Sequence, residues 1–176
     1  MAQELIQDGR LNRQAAAAAL RQFLEEIVRV SGFDVKVTVR AEGAEAGMPT
    51  TDAEVFADLD GRDNGLLLER SGEVLKALEH LAFRALRLEP EWQDKIQVDC
   101  AGYRALRLEE LRMTARVAAE RVQASRQPFQ LNPMSAHERR IVHLALRDMP
   151  GVRTESVGVG ERRQVVIHPA APPAKR

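Results

Sequence analysis

From Gln14 to Val30, five alanines are followed by Leu20, Phe23, Leu24, Ile27 and Val28 at helical spacing, and Ser31-Gly32 closes the pattern. This predicts an amphipathic helix. Phe33, Val35, Val37 and Val39 then alternate with Asp34, Lys36, Thr38 and Arg40, the period of a strand with one buried face. Ala41 to Asp52 is rich in Ala, Gly and Glu and reads as a flexible connection. A second strand is expected over Ala53 to Asp60, ending in the turn Gly61-Arg62-Asp63-Asn64-Gly65. From Leu66 the period is helical again, with Val74, Leu75, Leu78, Leu81, Ala82, Ala85 and Leu86 marking a core face as far as Pro90. Asp94 to Cys100 is a third strand. The order is helix, strand, strand, helix, helix, strand, provided that the short segment before Gly72 forms its own helical turn.

Tyr103 to Arg126 predicts a long helix, with Leu108, Leu111, Ala115, Ala118 and Val122 inward and Arg104, Arg107, Arg112, Arg116 and Arg121 largely outward, where Glu109, Glu110 and Glu120 lie at pairing distance along the helix. A further helix starts at Ser135. Ser135 and Glu138 form the pattern of a capping box, in which the Ser side chain takes the N3 amide and the Glu reaches back to the N-cap amide. At about 100° per residue, with Arg139 at zero, His143 falls near 40°, Arg147 near 80° and Arg140 near 100°. Ile141, Val142, Leu144, Ala145, Leu146 and Met149 fill the other side. One face is core and the other cationic. Arg139 and His143 stack on adjacent turns of the exposed face, close to a helix N-terminus whose dipole favours an anion. Pro150-Gly151 stops the helix, and Val152 to Val157 and Arg162 to His168 read as a hairpin across Gly158 to Glu161. The tail from Ala170 is rich in Pro and Ala and is expected to be disordered.

Net charge over the 176 residues is zero, which alone argues against a nucleic-acid binder. Residues 1–102, however, carry 12 Lys/Arg against 19 Asp/Glu, and residues 103–176 carry 14 against 7, so the halves stand at −7 and +7. That asymmetry places a nucleic-acid surface in the second half; the alternative is that the two halves attract each other. Aromatic residues make up only 4% of the chain, which limits base stacking. Cys100 is the only cysteine, excluding a disulfide framework, and its alternation with Ile96 and Val98 makes it a small buried hydrophobe. The polar N-terminus carries no secretory signal and no apolar run reaches membrane-spanning length, so a cytoplasmic location is expected.

The run NPMSAHERRIVHLAL, then Val152-Arg153-Thr154-Glu155-Ser156, then Arg162-Arg163-Gln164-Val165-Val166-Ile167-His168-Pro169, resembles the C-terminal domain of the Jag family of SpoIIIJ-associated proteins, also called KhpB. That domain, the R-three-H domain, takes its name from an Arg-x-x-x-His motif and binds single-stranded nucleic acid. The likeness runs from about Gln97 to Pro169. It implies that Arg139 and His143 contact a phosphate, the first through its bidentate fork and the second through ring N–H donors. Arg140, Arg147, Arg153, Arg162 and Arg163 are flanking candidates by charge.

The order of elements in the first half is similar to a type II KH domain, which this family places at that position. The implied architecture is α+β: a KH-like domain over 1–102, joined by the long helix to a small α/β R-three-H domain over 103–169, with a tail over 170–176. A working KH domain clamps nucleotides with a Gly-x-x-Gly loop. The corresponding stretch here is Glu69-Arg70-Ser71-Gly72, in which Glu69 replaces the first glycine and adds a Cβ and a negative charge. RNA binding by this half is therefore expected to be weak or lost; the alternative is that Arg70 and Gly72 suffice.

Histidines at 80, 137, 143 and 168 lack zinc-ligand spacing, and neither a phosphate-binding glycine loop nor a dinucleotide fingerprint is present. No cofactor, metal or catalytic activity is expected. The sequence thus points to non-enzymatic binding of single-stranded nucleic acid, RNA before DNA. The resemblance further implies a post-transcriptional regulator of cell elongation, division or sporulation, with a small stand-alone KH protein and a membrane insertase as partners. The competing reading is a protein-interaction adaptor that docks through the acidic half.

Overall fold

The computed structural model describes residues 5–7, 9–41 and 53–170. The connection expected over Ala41 to Asp52 and the tail expected over 170–176 lie outside these residues, Ala41 and Ala170 excepted. The chain divides into two compact units, Met1–Arg104 and Ala105–Arg176, each a mixture of helix and sheet.

The first unit opens with a hairpin that the hydrophobic pattern does not signal, β1 (Ile6–Gln7) and β2 (Arg10–Leu11). Helix α1 (Arg13–Ser31) follows, with Asn12 as N-cap accepting from the Ala15 amide and Gly32 ending it in the left-handed conformation. Its Ala16, Ala17, Leu20 and Leu24 are buried against a three-stranded sheet. Strand β3 (Val35–Arg40) pairs antiparallel with β4 (Val55–Gly61), and β4 pairs parallel with β5 (Ile96–Cys100). A parallel pair needs a crossover, supplied by α2 (Asn64–Ala85) and the single turn α3 (Pro90–Gln93). The turn after β4 is shorter than the five residues expected, because Asn64 already belongs to α2.

Strand β5 ends the sheet, yet all five of its residues are buried, Cys100 among them. Its outer edge is closed by side chains. Glu79 accepts from the Val98 amide at 3.0 Å, Arg104 Nε donates to the Val98 carbonyl at 3.0 Å, and Arg104 Nη2 meets Glu79 at 2.6 Å. This ion pair satisfies the backbone where a further strand would otherwise add.

The second unit is built on α4 (Tyr103–Ser125), whose Leu111, Ala115, Ala118, Ala119 and Val122 are buried. They pack with Val142 and Leu146 of α5 (Ala136–Leu146) and with Leu131, Val165 and Ile167. The sheet has order β6 (Phe129–Gln130), β8 (Gln164–Pro169), β7 (Val152–Val157), all antiparallel, with β8 central. Small residues at 115, 118 and 119 let these elements approach α4 closely. Leu108 is only partly buried, and Arg107, which the helical pattern faces outward, is instead drawn in by a carboxylate of α5.

Candidate nucleic-acid interface

Helix α5 starts as its sequence dictates. Ser135 Oγ accepts from the Glu138 amide at 3.2 Å and Glu138 Oε2 accepts from the Ser135 amide at 2.9 Å, a complete capping box. Glu138 Oε1 also accepts from Arg107 Nε at 2.9 Å, so this buried carboxylate fixes α5 to α4. The capping box engages the Ser135 and Glu138 amides and sets a carboxylate at the N-terminus of α5, which offsets part of the attraction that the helix dipole has for an anion.

Arg139 is half-buried, and its Nη1 donates to the Met134 carbonyl at 2.7 Å. Among the described residues no carboxylate lies within ion-pairing distance of its guanidinium, whose remaining donors are uncommitted. Met134 in turn donates its amide to the Arg163 carbonyl at 3.2 Å. Arg139 is thereby set one residue away from the start of β8 and the hairpin that precedes it. That hairpin needs Gly158, whose φ is +96° and whose Cβ, if present, would lie 2.7 Å from the Arg162 carbonyl oxygen. A single 3-10 turn at Gly160–Arg162 replaces the simple reversal expected from the sequence and leaves Arg162 and Arg163 exposed.

His143 is not on the exposed face. It is half-buried between α5 and β7, with Nδ1 2.6 Å from Thr154 Oγ1 and Nε2 2.8 Å from Ser156 Oγ. Burial is the first cause that holds its pKa below the usual imidazole value, and the neighbouring charge of Arg139 lowers it further. The helical wheel gives the right side of α5 but cannot show that β7 covers it.

The other arginines are dispersed. Arg140 is exposed, next to Arg139 in the helix. Arg147 caps the far end of α5 and lies 4.0 Å from Asp148. Arg153 alternates with Thr154 and so belongs to the opposite face of the sheet, where it pairs with Glu155 at 3.5 Å. Among the described residues no group of His, Cys, Asp or Glu is placed to hold a metal ion. No helix among them is long and apolar enough to cross a membrane.

Residues 109–169 match the model of the R-three-H domain. Over 146 residues the chain is 29% identical to the RNA-binding protein KhpB of Clostridium symbiosum, covering 83% of this chain and 63% of that protein. Over 111 residues it is 35% identical to the RNA-binding protein KhpB of Bacillus subtilis strain 168, covering 62% of this chain and 53% of that protein. The protein of the same name from Streptococcus pneumoniae serotype 2 is 31% identical over 109 residues, covering 62% of this chain and 33% of that protein. The second unit carries an R-three-H domain, and the chain is similar to KhpB proteins. It spans 63% and 53% of the length of the first two relatives.

The Arg-x-x-x-His spacing singles out Arg139 and His143 but not the groups that they meet. Thr154, Ser156 and the Met134 carbonyl fix Arg139 and His143. Only the alternation of β7 hints that Thr154 and Ser156 share one face.

Proposed function

We propose that this protein binds single-stranded nucleic acid, RNA in preference to DNA, without catalysis, through the surface of its second unit that carries Arg139. The observation that carries this reading is the state of the Arg139 guanidinium: held in place by the Met134 carbonyl, lacking a carboxylate partner among the described residues, and linked through Met134 to the Arg163 backbone. A fork-shaped cation with free donors suits a phosphate oxygen pair. The +7 balance of residues 103–176 and the names of the relatives, RNA-binding proteins, support the same reading. Arg162 and Arg163 are the flanking phosphate contacts, with Arg140 beside them; Arg153, paired on the other sheet face, and Arg147, at the far end of α5, contribute least.

The first unit is a KH-like domain whose loop has lost its nucleic-acid role. Glu69 to Gly72 interrupts α2 where the Gly-x-x-Gly loop belongs. Glu69 adds negative charge, and Arg70 Nη1 lies 3.8 Å from Glu73. Both oppose phosphate approach. A cytoplasmic post-transcriptional regulator of elongation, division or sporulation, partnered by a small KH protein and peripheral to a membrane insertase, is the role that the resemblance to the Jag family suggests.

Anisotropy titration of labelled single-stranded RNA, single-stranded DNA and duplex with wild type and Arg139→Ala tests the assignment. Tight, salt-sensitive binding of RNA single strands that Arg139→Ala weakens supports it. Binding indifferent to Arg139→Ala, or absent, overturns it in favour of protein docking.

A further inference from the structure

His143 has both ring nitrogens committed within the protein, so its part in binding is indirect. A neutral imidazole carries one N–H and one acceptor nitrogen. Each hydroxyl it meets carries one hydrogen. Of the three hydrogens shared by His143, Thr154 and Ser156, the two ring contacts consume two: one N–H donated to a hydroxyl oxygen, and one O–H donated to the bare nitrogen. One hydroxyl hydrogen is left over, and it belongs to whichever hydroxyl accepts from the ring. Burial, and after it the adjacent charge of Arg139, disfavours the imidazolium, in which both nitrogens would be donors, and so preserves this count.

The register says which hydroxyl is better placed to use its hydrogen. Ser156 pairs with Val165, whose carbonyl accepts from Leu131, and Arg163, two residues earlier, accepts from Met134, the residue that holds Arg139. Thr154 pairs with Ile167, further along β8 and away from Arg139. We propose that Ser156 is an anion-contacting residue of the same surface: His143 donates Nε2–H to Ser156 Oγ, accepts the Thr154 O–H at Nδ1, and thereby turns the Ser156 O–H outward to donate to a phosphate oxygen bound by Arg139. His143 and Thr154 are then positioning residues. This inference rests on the phosphate-binding reading of Arg139 given above.

The test uses the full chain. Long-range nitrogen–proton correlation spectra identify the tautomer of His143, its signals being those lost in His143→Gln, and need no RNA. The inference requires protonated Nε2 and bare Nδ1 at neutral pH. It also requires that Ser156→Ala weaken binding of a single-stranded RNA about tenfold, the loss of one hydrogen bond to a charged group. Ser156→Thr, which keeps the hydroxyl, should restore binding, and Thr154→Val, which loosens the tautomer but keeps the Ser156 donor, should weaken it less than Ser156→Ala does. A ring protonated at Nδ1, or equal losses for Ser156→Ala and Thr154→Val, overturns the inference and leaves Arg139 unaffected. Wild-type affinity that Arg139→Ala does not alter instead removes the reading on which the inference rests, while the tautomer remains measurable.

Discussion

Arg107 and Glu138 meet at 2.9 Å between α4 and the first turn of α5, and the same carboxylate accepts from the Ser135 amide. One side chain thus starts the helix that carries Arg139 and fixes it to its neighbour. With only 8% of its side chain exposed, Glu138 depends on Arg107 to offset its desolvation. Arg107→Ala removes this partner from a buried carboxylate and is expected to cost about 3 kcal/mol. Glu138→Gln keeps a capping oxygen and removes the charge, so it should cost less than Glu138→Ala. Urea unfolding of the three variants ranks them.

Gly72 and Tyr103 form a second constraint. Gly72 has φ +73°, and a Cβ there would lie 2.9 Å from Tyr103 Cε1. Gly72→Ala therefore combines left-handed strain with a steric clash and is expected to destabilise the first unit by about 2 kcal/mol. Glu69, at φ −52°, has no conformational need for glycine, whereas Ser71 sits at φ +63°. Glu69→Gly should gain no stability; Ser71→Gly, relieving the strain, should raise the thermal midpoint slightly. Thermal unfolding followed by circular dichroism separates the three. Close packing against Tyr103 explains a glycine at position 72.

Helix α1, strands β3 to β5 and the Ser135 cap are legible in the sequence because period and capping chemistry are local. The two-residue strands at Ile6, Arg10 and Phe129 are not, since two residues cannot display a period. Arg107 and His143 are misplaced by the pattern for another reason: a helical wheel reports which side a residue is on and not what packs there. Glu138 and β7, each distant in sequence, turn both from surface residues into half-buried ones.

His143 supplies a pH signature. Its folded pKa lies below the ordinary 6.5 because of burial and then Arg139, so the unfolded chain takes up the proton first as pH falls. Above about pH 6.5 both states are neutral at this site and its contribution is constant. Stability falls as pH drops from there to the folded pKa, below which both states are protonated and the loss is complete. The difference in unfolding free energy between wild type and His143→Gln, measured from about pH 8 to pH 5, should shrink on acidification. A pH-independent difference would refute the burial argument.

Glu79 and Arg104 close the edge of β5 through Val98. Arg104→Ala leaves the Val98 carbonyl and the Glu79 carboxylate without this partner and is expected to cost about 2 kcal/mol. Glu79→Ala frees the Val98 amide and opens the edge to pairing with another chain. Sedimentation velocity should then detect self-association in Glu79→Ala at concentrations where wild type shows less.

Salt dependence addresses Arg139 most directly. Each phosphate neutralised on a single strand contributes about −0.7 to the slope of log affinity against log salt. Arg139→Ala should reduce that slope in magnitude by about this amount and weaken binding about tenfold or more. Arg139→Lys keeps the charge but not the fork, so it should preserve the slope while losing part of the affinity. Arg153→Ala, on the opposite sheet face and already paired with Glu155, should change neither by much. If Arg153→Ala instead matched Arg139→Ala, the phosphates would run along the outer sheet face, and the surface around Arg139 would not be the binding site.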